Sequence, residues 1–393
     1  MSRVLVFASV SLSLAFGLHY YVWARLVRDT GLPQPWRAVA TAAIVALGVS
    51  IPLAFILGRT FSREAMRPLA WTAYLWMGLL MFLFLLLVTG DVARVMLAIA
   101  ERARGGVRLP DPERRVMMAR LFGGAVAAVA VGLGALATRT GIARALVRDF
   151  EVTLDRLPRA LDGTVIVQLT DVHVGPTIGR DFIEDLVAKS NALEPDLVCI
   201  TGDLVDGSVA RLREHVAPLA KLKAKRGVFF VTGNHEYYSG VSQWIDELGR
   251  LGVRVLRNQR VTIGEGADAF DLAGIDDHSS VDAAPGHGPD LARALDGRDP
   301  SRECILLAHQ PRAIHEAARL DVGLQLSGHT HGGQIWPWNY LVRLQQPYIV
   351  GFAREGRTQL YVSPGTGYWG PPMRLGSHGE ITKIVLRSPV SRG

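Results

Sequence analysis

The chain has 393 residues, more than a typical single domain, so its length predicts two parts. Hydrophobic residues make up 49% of the chain and the mean hydropathy is positive, which is unusual for a soluble enzyme. The formal net charge is +7, but many of the arginines that carry it lie between apolar segments, where they set the orientation of membrane helices. We therefore expect no nucleic-acid partner.

Four apolar runs occupy the first third of the chain, and each approaches the roughly 20 residues that cross a hydrocarbon core. They cover residues 4–23, 38–57, 69–88 and 121–137. The helices of a soluble bundle would show polar faces at helical spacing, which these runs lack. We predict a transmembrane region of four helices over residues 1–137. A transporter would need ionisable residues within its spans, and these runs have almost none.

The charged joins between these runs bear on the orientation of the protein. Arginines on the two sides of the predicted membrane differ only slightly in number, which slightly favours an external C-terminal domain. The pair Arg114-Arg115 resembles a twin-arginine export signal, which agrees, although paired arginines beside a span are commonly plain anchors. We expect a multi-pass protein of a bacterial-type inner membrane and keep both orientations of its C-terminal domain open.

The remainder of the chain predicts an α/β domain, with a linker and first strand over residues 138–160 and the domain itself over residues 161–393. Strands are predicted at residues 150–154, 164–169, 197–201, 228–231, 270–273, 304–308, 324–326, 359–362 and 381–386. Helices are predicted at residues 181–193 and 241–251, so strands and helices alternate before several strands follow one another. The two cysteines, Cys199 and Cys304, lie within predicted strands and are expected to be buried thiols.

Polar side chains of the metal-binding kind follow five of these predicted strands. They are Asp171 and His173, then Asp203, then Asn234 with His235 and Glu236, then His309, and last His329 and His331. Any one of them alone could be a helix cap, a turn or a core histidine. Because ligands in open α/β sheets gather at the carboxyl ends of strands, all five motifs can converge on one site.

With these motifs the chain resembles the calcineurin-like metallophosphoesterase family over about residues 165–386. The resemblance implies a metallo-dependent phosphatase fold, a β-sandwich flanked by helices, that binds two divalent ions. It implies one ion held by Asp171, His173, Asp203 and His331, and a second held by Asp203, Asn234, His309 and His329. Two such ions can clamp the attacking and leaving oxygens and acidify a water molecule. The oxygen and nitrogen ligands suit Mn²⁺, Fe or Zn²⁺.

The same resemblance implies roles for two further residues. His235 would stabilise the transition state and protonate the leaving oxygen, and Glu236 would hold the imidazole of His235 in orientation. Two arginines, Arg312 and Arg374, are expected to contact the phosphate of the substrate.

The C-terminal residues 332–337 and 365–374 resemble the membrane-associated bacterial branch of this family. That branch includes envelope phosphodiesterases and, more distantly, an enzyme of the lipid A pathway that cleaves UDP-2,3-diacylglucosamine. Aromatic side chains in and near these stretches could form a rim for an acyl chain or pack as loop anchors: Trp336, Trp338, Tyr340 and Trp369.

These observations lead to one expected function and one alternative. The expected function is hydrolysis of a phosphodiester or pyrophosphate, with the bilayer and a phosphorylated lipid or envelope intermediate as partners. The alternative is a catalytically silent membrane sensor or scaffold, which would be favoured by a damaged motif. Every motif in this sequence is intact.

Overall fold

The computed structural model describes residues 3–105, 111–283 and 286–389. The chain divides into two compact units. The first comprises Met1–Arg139 with Pro371–Met373, and the second comprises Thr140–Gly370 with Arg374–Gly393. Residues 106–110, between the third and fourth predicted spans, and residues 284–285 lie outside the described residues.

Long helices make up the described part of the first unit. They are α1 (Arg3–Trp23), α2 (Trp36–Leu57), α3 (Arg63–Ala103) and α4 (Pro112–Gly141), with a π-helical turn over Ala24–Arg28. Within the described residues α2, α3 and α4 are long and apolar enough to cross a membrane. The helix α1 covers the first predicted span, and its crossing of a membrane stays a prediction.

The third helix is longer than the sequence predicted. Residues 91–103, which were expected to lie in a charged join, continue α3 for several turns. Tyr21 and Arg25 donate hydrogen bonds of 2.5 and 2.9 Å to Asp91 of this helix, so its carboxylate is paired. Residues 91–103 contain neither glycine nor proline, so α3 continues through them and ends just before Gly105, whose φ is 79°.

The second unit contains the strands and the shorter helices of the described chain. The strands are β1 (Leu146–Thr153), β2 (Val165–Leu169), β3 (Leu197–Ile200), β4 (Val228–Phe230), β5 (Arg254–Val255), β6 (Gln259–Glu265), β7 (Asp268–Gly274), β8 (Cys304–Leu307), β9 (Leu324–Ser327), β10 (Gly351–Glu355), β11 (Thr358–Val362) and β12 (Glu380–Arg387). The helices are α5 (Arg180–Ala192), α6 (Val209–Val216), α7 (Asn234–Ser239), α8 (Val241–Arg250), α9 (Ser280–Ala283), α10 (Leu291–Ala294), α11 (Ile314–Arg319) and α12 (Asn339–Val342).

These strands form two six-stranded sheets. The first has the order β1-β12-β2-β3-β4-β5, and the second has the order β10-β11-β9-β8-β7-β6. The strands β2 to β5 run parallel, as do β7, β8, β9 and β11. Buried apolar residues of both sheets pack together in one cluster, for example Ile166 and Cys199 of the first sheet with Leu307 and Leu326 of the second. The predicted β-sandwich is therefore confirmed.

Helices cover the outer face of each sheet. Side chains of α5, α6 and α8 pack with β2 and β3 in a second cluster, and α10 and α11 pack with β7 and β8 in a third. Both cysteines are buried thiols, as predicted. Three strands were not predicted: β5 has only two residues, while β6 and β10 are edge strands whose exposed positions weaken the apolar pattern. The parallel strands place their carboxyl ends at one edge of each sheet, where the predicted ligands lie.

Candidate metal centre

The loops that follow β2, β3, β4, β8 and β9 bring the predicted ligands together with mostly buried side chains. The backbone there is strained, because several non-glycine residues have φ between 51° and 71°: Asp171, His173, Asp203, His329 and His331. Such conformations cost of order 1–3 kcal/mol each and persist only where the surrounding structure holds them. The loops are thus shaped to aim these side chains inward.

The first ligand group contains Asp171, His173 and His331, whose ligand atoms lie within 4.8 Å of one another. The Nε2 atoms of His173 and His331 are 3.0 Å apart, and His331 Nε2 is 3.4 Å from Asp171 Oδ1. The carboxylate of Asp171 is fixed by the backbone N–H of His329, at 2.9 and 3.0 Å from its two oxygens. These are three of the four ligands that the resemblance assigned to one ion.

The second ligand group contains Asp203, His309 and His329. Nε2 of His309 lies 3.1 Å from Asp203 Oδ2 and 3.2 Å from His329 Nδ1. The other ring nitrogen of His309 donates a 2.8 Å hydrogen bond to the carbonyl of Thr201, which directs Nε2 towards the ligand group. Asn234 is buried, and among the residues that the structure describes its Oδ1 has no hydrogen-bond partner.

The residues of both groups fit divalent ions. Two imidazole nitrogens that face each other at 3.0 or 3.2 Å need a proton or a cation between them, and a buried amide oxygen needs a partner. Burial, and then the charge of His309, lowers the pKa of His329 to about 3. Burial, and then the charges of His173 and Arg374, holds the pKa of His331 well below its usual value. Both imidazoles are therefore neutral and able to bind a metal.

Asp203 stands between the two groups. Its Oδ2 is 3.1 Å from His309 of the second group and 3.9 Å from Nε2 of His173 of the first. Although burial opposes ionisation, the charges of His309 and His235 hold the pKa of the Asp203 carboxyl well below its usual value. An ionised carboxylate at this place can bridge two cations, as the resemblance implied for Asp203.

The structure adds Asp206, which sequence reasoning missed. Its Oδ1 accepts a 2.6 Å hydrogen bond from Nδ1 of His235 and a 3.0 Å bond from Nδ1 of His173. Although burial lowers the pKa of His235, the charge of Asp203 and the bond to Asp206 raise it to about 9. A second aspartate three residues after Asp203 was the only signal in the sequence. One carboxylate thus orients a metal ligand and the imidazole expected to donate a proton.

The prediction that Glu236 holds the imidazole of His235 in orientation is wrong. In the described part of the chain no hydrogen bond joins Glu236 to the ring of His235. Its carboxylate instead accepts backbone N–H bonds from Gly233, Asp203 and Leu204 at 2.7, 3.0 and 2.8 Å. Glu236 is in the first turn of α7, so its side chain reaches back to the loops that carry Asp203 and Asn234. Glu236 therefore shapes these loops, and Asp206 orients His235.

The two arginines expected to contact phosphate occupy different environments. Arg312 is exposed, donates a 3.0 Å bond to the carbonyl of Gln345, and lines a cavity of about 210 Å³ with His309. Arg374 is fully buried, and its guanidinium donates to the carbonyls of Pro364 and Gly367 at 2.9 and 2.5 Å. A guanidinium used in this way cannot reach a phosphate, so the expectation for Arg374 is corrected.

Replacing Arg374 with methionine is expected to weaken Mn²⁺ binding by about tenfold or more and to lower the melting temperature. The change leaves two buried carbonyls unpaired and frees the loop of His331, whose Nδ1 lies 3.4 Å from Arg374 Nη2. Calorimetric Mn²⁺ titration and thermal unfolding would measure both effects. The matched variant Arg312→Met should keep the metal affinity and raise KM. Unchanged metal binding and stability in Arg374→Met would refute this role.

Comparison with known proteins agrees with this geometry. A family model described as calcineurin-like phosphoesterase matches residues 164–333. An uncharacterized metallophosphoesterase of Campylobacter jejuni is 30% identical over 388 residues, which cover 98% of each chain. The chain belongs to the calcineurin-like metallophosphoesterase family. The predicted class of domain, a metal-dependent phosphoesterase, is confirmed.

Other relatives of this metallophosphoesterase match a shorter part of the chain. A transmembrane protein with metallophosphoesterase domain of Bos taurus is 46% identical over 253 residues, which cover 62% of this chain and 57% of the relative. An uncharacterized metallophosphoesterase of Helicobacter pylori is 40% identical over 250 residues, which cover 63% of this chain and 65% of the relative. The chain thus spans less than two thirds of the length of either relative.

Proposed function

We propose that this metallophosphoesterase is a membrane-tethered hydrolase that uses two divalent ions, Mn²⁺, Fe or Zn²⁺, to cleave a phosphodiester or pyrophosphate. The observation that carries the proposal is the pair of ligand groups joined at Asp203, with His235 beside them. Nε2 of His235 lies 4.0 Å from Asp203 Oδ2, so the imidazole faces the region between the two groups. A phosphate placed there would meet ligand residues on one side and a proton donor on the other.

The residues of the chain have distinct roles in this proposal. Divalent ions held by the two groups would supply positive charge to the phosphate oxygens and acidify a water molecule. Water oxygen forms the new bond to phosphorus, and the bond from phosphorus to the leaving oxygen breaks. His235 donates its Nε2 proton to that oxygen, while Asp206 keeps the opposite ring nitrogen in place. Arg312, at the mouth of the adjoining cavity, contacts the phosphate or its substituent.

A lipid or cell-envelope intermediate of the UDP-2,3-diacylglucosamine kind is the proposed class of substrate. Three helices able to cross a membrane would hold the domain near a bilayer, where such molecules reside. The side chains of Trp336, Trp338, Tyr340 and Trp369 are each more than half exposed, which favours an apolar rim over packed anchors. We further propose a multi-pass protein of the bacterial inner membrane.

Purified protein with Mn²⁺ is expected to hydrolyse bis-p-nitrophenyl phosphate, and Asp203→Ala and His235→Ala should greatly weaken this activity. Full activity in both variants would contradict the assignment, whereas intact metal binding without turnover by the native chain would favour a silent sensor.

A C-terminal reporter fusion would then separate the substrate classes. A cytoplasmic domain favours a nucleotide-linked lipid, and an external domain favours wall or teichoic-like polymers.

A further inference from the structure

Residues 336–344, here called the aromatic segment, form an exposed apolar surface in the second unit. Its large side chains are open to solvent: Trp336 57%, Trp338 53%, Tyr340 61%, Leu341 49% and Leu344 81%. Soluble domains rarely leave such a contiguous set exposed without a function for it. The short helix α12 lies within this segment and none of its described residues is buried.

The stretch of sequence that contains the aromatic segment carries basic but no acidic residues. No acidic residue occurs between Asp321 and Glu355, whereas Arg343 is exposed within the segment. Tryptophan and tyrosine prefer the boundary between headgroups and acyl chains, and exposed arginine is attracted to anionic lipids. A protein partner with an acidic, apolar face would also match this chemistry. The chain, however, carries three helices long and apolar enough to hold its domain at a bilayer, which favours a lipid surface.

The aromatic segment is rigidly joined to the metal centre. A side chain added at Gly333, two residues after the ligand His331, would lie 2.4 Å from Cα of Asn339, so α12 packs directly on this turn. The amide of Gln334 makes two 2.9 Å hydrogen bonds with the backbone of Trp369. The ring of Trp369 meets that of His235 edge-on at 5.8 Å. The turn that carries the segment is therefore tied through Gln334 to Trp369, whose ring touches that of His235.

We propose that the aromatic segment docks on the headgroup region of an anionic phospholipid bilayer and presents the metal centre to phosphate groups at that surface. The docking itself is independent of the reaction. Its effect on turnover rests on the proposed function, because only a substrate embedded in the bilayer gains from it. The aromatic side chains and leucines enter the interface, while Arg343 remains among the headgroups.

A fluorescent probe at Leu344 would test the docking in the full chain. Cys199 and Cys304 are buried, so a Leu344→Cys variant can be labelled with nitrobenzoxadiazole and placed in nanodiscs of phosphatidylcholine and phosphatidylglycerol. Brominated acyl chains are expected to quench roughly half of its fluorescence or more. The control is Lys225→Cys, which precedes the amino end of β4 and lies at the sheet edge opposite the metal centre. Its fluorescence should not change.

Three results would overturn the docking. Equal fluorescence of the Leu344 probe with and without bromine, together with quenching by aqueous iodide, would show that the segment stays in water. The probe could instead be quenched by neither brominated lipid nor aqueous iodide. Energy transfer between labelled copies would then show that a second copy of the chain covers it. Protection without such transfer would point to a protein partner and would equally exclude the bilayer.

A second measurement separates docking from chemistry. The double variant Leu341→Asp, Leu344→Asp changes only exposed side chains and should hydrolyse soluble bis-p-nitrophenyl phosphate as the native chain does. Hydrolysis of hexadecyl p-nitrophenyl phosphate in anionic vesicles should fall roughly tenfold, because two new acids repel the surface. An unchanged ratio of the two activities would contradict the proposal. A native chain that hydrolyses neither probe would refute the proposed function, while the fluorescence result would still decide the docking.

Discussion

Asp203→Asn is expected to lower kcat/KM for bis-p-nitrophenyl phosphate at least about a thousandfold, equivalent to about 4 kcal/mol of transition-state stabilisation. The change keeps the shape of the side chain but removes the negative charge that lies between His309 and His173. A neutral amide cannot bridge two cations, so the metal content should fall from two ions towards one or none. Steady-state kinetics together with elemental analysis of the purified protein would measure both quantities.

A matched control for this variant is Asp271→Asn. Asp271 is also a buried carboxylate, but it lies in β7 and accepts a 3.0 Å bond from Thr262, away from the ligand groups. Its replacement should lower stability and leave the metal content unchanged. Two bound ions and native turnover in Asp203→Asn would contradict the bridging role.

Replacing His235 with alanine is expected to lower kcat by about 10²–10⁴ and to leave both metal ions bound. The imidazole lies beside the ligand groups, and its proton is held for transfer by Asp203 and Asp206. The loss should be larger for diesters with a poor leaving alcohol than for those releasing nitrophenol, because a good leaving group needs less protonation. Turnover of a series of diesters with graded leaving groups would measure this dependence. An equal loss for every leaving group would contradict a proton donor.

The variant Asp206→Asn tests the two contacts of the Asp206 carboxylate, one with His173 and one with His235. It should lower kcat by about 10–100-fold and weaken the first metal group, because a neutral amide oxygen accepts the bond that fixes the ring of His173 more weakly than a carboxylate does. A proton donor works below its pKa, and Asp206 raises the pKa of His235. Without the charge of Asp206 the pKa of His235 falls. The alkaline limb of the pH–rate profile should therefore move to lower pH. A pH–rate profile that does not move would contradict this pairing.

Much of the metal centre could be predicted because its ligands follow strands directly. Asp171 and Asp203 lie within three residues of the ends of the buried strands β2 and β3, and parallel strands bring these ends to one edge. The interior of the sandwich could be predicted for the same reason, since Ile166 and Leu326 lie in apolar runs with short, clear boundaries.

The parts that were missed depend on how loops fold back. Asp206 becomes important only because the loop after β3 returns its carboxylate to both His173 and His235. Arg374 was expected to contact phosphate because guanidinium groups bind phosphate well, yet its guanidinium donates to backbone carbonyls instead. Sequence spacing carries no information on such long-range contacts.

Anomalous X-ray diffraction from crystals grown with Mn²⁺ tests most directly whether the two ligand groups hold the ions. We expect two anomalous peaks, one contacting Asp171, His173 and His331 and the other contacting Asn234, His309 and His329, with Asp203 touching both. A single peak, or peaks outside these residues, would contradict the dinuclear centre.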